Sequence, residues 1–414
     1  METVRTLRQE GFEALWAGGC VRDHVLGKTP KDYDIASTAT PDDVIRIFGR
    51  RRTVAVGASF GVVMVLGPDK AAGQIEVATF RSDGEYHDGR RPSSVMFCRP
   101  EEDARRRDFT INGMFFDPIE ETLIDYIGGR EDLALGIVRA IGDPVARFTE
   151  DKLRMLRAVR FTATFGFALD ESTADAAYQL RRKLNQVSAE RISHELKRML
   201  AHGTREHSFR LLIQTGLLPE VLPELYRDED EAGLAVIGQG LHHLISDRFE
   251  PALALMLLSL RLSGTGKEST VAIESVCRRL KLSNEEIECV CWLVKSLPVL
   301  ENVQSKPLHV RKPLLAHPMI ELLLQTSAAV AAAQNRPAMD VEFCRDYMST
   351  RHSDDLCPAP LVDGQDLMAL NLPQGPAFRV LLTTIRNEQL DEILTTRNTA
   401  LERLRELVAV STGN

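Results

Sequence analysis

Leu15-Trp-Ala-Gly-Gly-Cys-Val-Arg-Asp23, followed by Lys31-Asp-Tyr-Asp-Ile35, decides how this chain is read. A short apolar run enters two glycines, which lead into a short helix carrying Arg22 and Asp23 and then into a strand over 33–36 with acids at Asp32 and Asp34. Side chains two apart on a strand share a face. Two carboxylates held together in a partly desolvated site repel each other. A divalent cation relieves that repulsion, with phosphate oxygens completing its ligand shell. The glycines let backbone approach a phosphate, and the helix start behind them offers unpaired N–H groups. The chemistry implied is metal-dependent nucleotidyl transfer.

Working outward, residues 1–140 read as mixed α/β. Thr40-Pro41-Asp42-Asp43 opens a helix, with threonine at the N-cap, proline at the first helical position and acids in the first turn. The Val- and Ile-rich runs 53–56, 61–66 and 74–80 read as strands. The polar, glycine-containing segment 82–94 reads as a loop. Beyond Asp143-Pro144 helical periodicity takes over, at 150–165, 189–200, 251–260 and 284–295. A single long helix is expected over 387–410.

Composition narrows the function classes. The chain has 414 residues, enough for two to four domains, and 44% of them are hydrophobic. Its net charge of −8 argues against general polyanion binding but allows a local basic face. Seven scattered cysteines with a lone C-x-C at Cys289 and Cys291 give no zinc spacing; free thiols in a reducing compartment are expected. No apolar run reaches membrane-spanning length, and the first residues carry no signal-like apolar core.

Three further constellations carry chemistry. Glu76 alternates with Ile75 and Val77, so it faces away from their apolar side; a third acid there would orient or deprotonate an attacking 3′-hydroxyl. Arg106-Arg107-Asp108 precedes a buried-looking element, and Arg107 suits bidentate contact with phosphate oxygens. Glu150-Asp151-x-x-Arg154-x-x-Arg157-x-x-Arg160 is expected on one helical face. A carboxylate at Asp151 would accept from the exocyclic amine of cytosine or adenine, and a guanidinium at Arg154 would donate to the adjacent ring nitrogen. Uracil and guanine reverse both polarities, so one Asp–Arg pair would select C and A without a template.

These motifs, with Glu190-Arg-Ile-Ser-His-Glu-Leu196 and the tail segments Asp363-Gly-Gln-Asp-Leu367 and Gly375-Pro376, resemble the bacterial-type (class II) tRNA nucleotidyltransferases and the related poly(A) polymerases. The resemblance implies an α+β fold: a DNA-polymerase-β-like head over 1–140, then a helical neck over 141–203, body over 204–338 and tail over 339–414, in a seahorse-like arrangement. It implies Mg²⁺ on Asp32 and Asp34, with Glu76 as the third catalytic acid. Nucleotide contacts fall on Gly19, Arg22, Arg107, Asp151, Arg154, Arg157 and Arg160. CTP and ATP would be the substrates and the tRNA 3′ end the acceptor, in the cytoplasm, with neither membrane nor obligate protein partner. The loop 82–94 lies where the family keeps an element that switches C to A addition. CC-adding, A-adding and poly(A)-polymerizing activities share this pattern, as does an inert RNA-binding relative; the intact acid pair argues against inertness. Some relatives carry a His-Asp phosphohydrolase domain. No His-Asp dyad follows the apolar run at 252–260, and none of that activity is expected.

Overall fold

The computed structural model describes residues 1–57, 61–67, 73–83, 95–228, 230–258, 266–370 and 375–412. Of the loop expected at 82–94, residues 84–94 lie outside the described residues. The chain forms two compact units, Met1–Arg227 and Asp228–Asn414.

The first unit is built on a seven-stranded mixed sheet. Its strands are β1 (Ala14–Ala17), β2 (Asp34–Ser37), β3 (Thr53–Gly57), β4 (Val62–Leu66), β5 (Gln74–Thr79), β8 (Phe115–Asp117) and β9 (Thr122–Ile124), in the order β3-β4-β5-β2-β1-β8-β9. A separate two-stranded ribbon pairs β6 (Arg81–Asp83) with β7 (Val95–Phe97). Only the β2–β5 pairing in the main sheet is parallel.

Period-two alternation gives the sheet two covered faces. Val4 and Leu7 of α1 (Glu2–Gln9) and Val44 of α3 (Pro41–Phe48) pack on one face against Ala14, Ile35 and Val77. On the other face, Leu15, Ala17 and Ala36 meet Phe80, Phe115 and Ala104 of α4 (Pro100–Arg106). Helix α3 starts where its sequence directs: Thr40 and Asp43 form a reciprocal capping box, with Pro41 at the first position. Helix α2 (Gly19–Val25) starts at Gly18, whose φ of +74° admits glycine without strain.

Two expected helices are each broken in two. The run expected at 150–165 is α6 (Pro144–Glu150) and α7 (Arg154–Phe165), separated at Asp151. Asp151 has an extended backbone (φ −138°, ψ 104°), and its carboxylate accepts from the Leu153 N–H. Local side-chain-to-backbone bonding of this kind competes with helix. The segment expected as one helix over 387–410 is likewise two, Pro376–Leu390 and Arg397–Thr412, with Glu392 between them at a φ of +63°. The first unit also contains α5 (Gly129–Leu135), α8 (Glu171–Leu180), α9 (Ala189–Ala201) and α10 (Arg205–Gln214).

The second unit is helical. Leu253, Leu293, Leu297, Leu323 and Leu324 are buried in it, and Ser283 and Glu286 form a capping box at the start of helix Asn284–Leu300. Its C-terminal end has a separate core of Val362, Leu367, Leu381, Ile385 and Leu404. All seven cysteines are free. Among the described residues no single helix is long and apolar enough to cross a membrane.

Candidate active site

Strand register sets the acidic floor. Asp34 is the first residue of β2, and the parallel pairing places Glu76 of β5 directly beside it. Both lie on the face opposite Ile35 and Val77, as the alternation of Glu76 with its neighbours requires. Asp32 was expected on the same strand as Asp34, but it lies in the bend before β2 and is exposed. The reason is the partner strand: Asp34 pairs with Ala17, the last residue of β1, and Gly18 then turns that chain away. On the β1 side nothing remains for residues 32 and 33 to pair with.

Asp34 is solvent-accessible, yet protein surrounds most of its carboxyl. This desolvation, then the charges of Glu76 and Asp32, raises its pKa above the ordinary carboxylate value, against the opposing pull of Arg107. Arg107 is anchored by two hydrogen bonds to the buried carboxylate of Asp103, at 3.1 and 3.0 Å, and its guanidinium lies 5.0 Å from the Phe115 ring centroid. Its Nη1 would sit 3.2 Å from a Cβ placed on Gly18, a tight approach at a position whose φ of +74° already favours glycine. Arg22 is buried and holds Asn112 Oδ1 at 2.6 Å and Asp23 at 2.8 and 2.9 Å. Its guanidinium stacks 4.3 Å from the Phe165 ring, which joins α2 to α7.

The helical wall facing this floor is cross-linked by charge. Asp151 and Arg154 were expected side by side on one helical face; the break between α6 and α7 separates them and gives each its own partner. Arg154 donates to Glu150 Oε2 at 2.8 Å, to the Arg147 carbonyl at 3.2 Å and to the Arg106 carbonyl at 3.1 Å. Asp151 is held by both terminal nitrogens of Arg191, from the first turn of α9, at 3.1 and 2.8 Å. Arg157 grips Asp108 at 2.9 and 2.5 Å. Burial alone would raise the pKa of Asp108, but Arg157, Arg154 and the Asn112 amide hold it below the ordinary range. Burial would likewise lower that of Arg157, and Asp108 and Glu195 reverse the shift. Arg160 donates to the buried Glu195 at 2.5 Å and lies 4.1 Å from the Phe161 ring.

Floor and wall enclose a cleft of about 570 Å³. Gly19, Arg22, Asp34, Arg107, Asp151, Arg154, Arg157 and Arg160, which sequence reading had singled out, all line it; Asp32 and Glu76 stand outside its lining. Asp108, Arg191 and Arg198 also line it and were not singled out. Asp108 stood inside a quoted arginine run and Arg191 inside the Glu190–Leu196 motif, so each had a signal. For Arg198 the cue was only its position two helical turns from Arg191 on α9. Among the described residues no group of three or more histidines, cysteines and acids is close enough to hold a metal ion by itself. The donors present are hard carboxylate oxygens in one cluster that Arg107 offsets only in part, which suits a cation that takes part of its shell from substrate oxygens.

Comparison with known proteins places this cleft in a family. The Poly A polymerase head domain matches residues 14–139, an RNA- and SrmB-binding site of polymerase A matches 166–228, and tRNA nucleotidyltransferase domain 2 matches 252–404. The CCA-adding enzyme of Bacillus subtilis is 33% identical over 377 residues, covering 91% of this chain and 89% of that enzyme. The chain belongs to the CCA-adding enzyme family. The match to the CCA-adding enzyme of Geobacillus stearothermophilus, 43% identical over 233 residues, spans only a little over half of either chain, 56% in each case. The crystal structure of Bacillus stearothermophilus CCA-adding enzyme in complex with CTP has the same fold throughout: a TM-score of 0.80 at 28% identity, over 100% of this chain and 98% of that one. The CCA-adding likeness therefore extends over both compact units.

Proposed function

We propose that this chain adds CMP and AMP to the 3′ end of tRNA from CTP and ATP, without a nucleic-acid template. The observation that carries this reading is the pairing of an acidic floor at Asp34 and Glu76, only partly offset by Arg107, with an arginine-lined cleft in which Asp151 is presented as a clamped carboxylate. Relatives named for CCA addition, and one solved with CTP, support it.

Asp32 and Asp34 would hold Mg²⁺; when bound, it supplies charge neutralisation at the reacting phosphate and the leaving pyrophosphate. Glu76, beside Asp34, accepts the hydrogen bond of the incoming 3′-hydroxyl and orients it towards the α-phosphorus. As Glu76 takes up the hydroxyl proton, the 3′-oxygen forms the new ester bond to the α-phosphorus and the bond from that phosphorus to the bridging oxygen breaks, releasing pyrophosphate. Arg107, Arg157 and Arg160 lower the cost of bringing a polyanion into the cleft. Gly19 and Arg22 set the depth to which the triphosphate enters. Asp151 accepts from the N4 amine of cytosine or the N6 amine of adenine, and Arg154 donates to N3 or N1. A division into head (1–140), neck (141–203), body (204–338) and tail (339–414) assigns chemistry and base reading to the first two. Substrates of this kind support a cytoplasmic setting.

The test is incubation with tRNA lacking its last three nucleotides, CTP, ATP and Mg²⁺, followed by sequencing of the 3′ end. Molecules ending in CCA are expected. Ends stopping at CC, lone A additions or long A tracts would redirect the reading within the family, and no incorporation would overturn it.

A further inference from the structure

Asp151 belongs to neither helix beside it, so its own backbone does not fix where its carboxylate points. What fixes it lies forty residues further on. The Arg191 fork closes on both oxygens, Nη1 on Oδ1 at 3.1 Å and Nη2 on Oδ2 at 2.8 Å. The Leu153 N–H adds a second bond to Oδ1 at 3.1 Å. A carboxylate has about four acceptor sites, two on each oxygen. Three are taken, so Oδ1 is full and Oδ2 keeps one. Arg191 is itself on a well-packed helix: Ile192, Leu196 and Met199 of α9 are buried.

Arg154 is reduced in the same way. A guanidinium has five N–H donors. Nη1 uses both of its donors on Glu150 and the Arg147 carbonyl, and Nη2 uses one on the Arg106 carbonyl. Both side chains line the cleft. They meet a ligand with one acceptor site on one side and the Nε–H and one Nη2–H on the other.

We infer that Arg191 is a positioning residue for nucleotide selection: by clamping Asp151 it strips the carboxylate to a single, fixed acceptor site, matched to one N–H of an exocyclic amine. This rests on the base-reading role proposed above for Asp151. A free carboxylate would rotate, recruit water and accept from the ring N–H that uracil or guanine presents. A clamped one meets their carbonyl oxygen with no donor between, and rejects them. Only a planar fork fixes both the position and the plane of the carboxylate; an ammonium supplies the charge without the plane.

Relative kcat/KM for CTP, ATP, UTP and GTP on truncated tRNA, for wild type, Arg191→Lys, Arg191→Ala, Asp151→Ala and the Asp151→Ala/Arg191→Ala double variant, tests the inference. Arg191→Lys should raise UTP relative to CTP incorporation about tenfold. The double variant should discriminate no worse than Asp151→Ala alone, because Arg191 acts only through Asp151. A thermal melt of each variant checks folding, and if Arg191→Ala fails to fold, Arg191→Lys decides. Reduced rates with unchanged nucleotide ratios in the lysine variant would overturn the inference while leaving the role of Asp151 standing, provided Asp151→Ala itself relaxes selectivity. Unchanged ratios in Asp151→Ala would overturn both.

Discussion

The floor and the wall of the cleft treat charge in opposite ways. On the floor, Asp34 and Glu76 sit side by side on parallel strands with Asp32 nearby, and Arg107, the cation that offsets them, is committed to Asp103. On the wall the charges are matched in pairs: Asp151 with Arg191, Glu150 with Arg154, Asp108 with Arg157, Glu195 with Arg160. Unmatched charge costs stability and is kept where a ligand will meet it. Matched charge gives up some of its attraction for a bound polyanion, and in return its side chains stand in fixed positions before anything binds. On the proposed reading, the floor serves chemistry and the wall discrimination.

If that contrast holds, the largest effect comes from the floor. Asp34→Ala should reduce nucleotide incorporation about a thousandfold or more while leaving tRNA affinity near wild type, measured by single-turnover kinetics and filter binding. Near-normal turnover would return Asp34 to an ordinary surface acid.

On the wall, the corresponding deletion should be felt as instability. Glu195 is 3% exposed at its side chain and is the hydrogen-bond acceptor for Arg160, with Arg157 at 3.8 Å. Glu195→Ala strands a largely buried guanidinium and should cost about 3–5 kcal/mol in urea unfolding. A loss below about 1 kcal/mol would mean the pair behaves as an exposed one.

Asp151 tests discrimination rather than rate or stability. Asp151→Ala should raise UTP and GTP incorporation relative to CTP and ATP by about 10- to 100-fold. The same four-nucleotide comparison reads it, and wild-type ratios would remove the wall from base selection.

The subtlest effect is a pH shift. Asp34 must be ionised to act, and burial followed by Glu76 raises its pKa, so activity should fall on acidification sooner than for an ordinary carboxylate. Glu76→Gln removes one raising charge and should move that acidic limb to lower pH, whatever it does to the rate. Stability runs the other way. Folded Asp34 holds its proton more tightly than the unfolded chain does, so its contribution is lost as pH rises from the ordinary carboxylate pKa through the raised one. Asp34→Asn should therefore melt higher than wild type at neutral pH and show less of an advantage in acid. Equal melting temperatures at pH 7 would show that Asp34 bears no electrostatic cost.

The sequence by itself determined most of the elements of the floor. Two glycines after an apolar run, an acid at Asp34, a capping box at Thr40 and the alternation around Glu76 are local signals that the structure follows, whereas Asp32 falls in the bend before the strand. The sequence also marked most of the arginines that line the cleft, though not Arg191 or Arg198. What it could not supply was the pairing. A helical pattern over 150–165 placed Asp151 with Arg154, but the helix breaks over 151–153, where Asp151 accepts from the Leu153 N–H, and periodicity does not register a three-residue break. The partner of Asp151 stands 40 residues away and that of Arg157 is 49 residues back, on elements that meet only once the first unit has packed. Asp32 lies off the strand at the point where β1, the neighbour of β2 on one side, has ended. Residue types fix which charges a chain owns; only tertiary contact decides which of them neutralise one another and which are left facing the cleft.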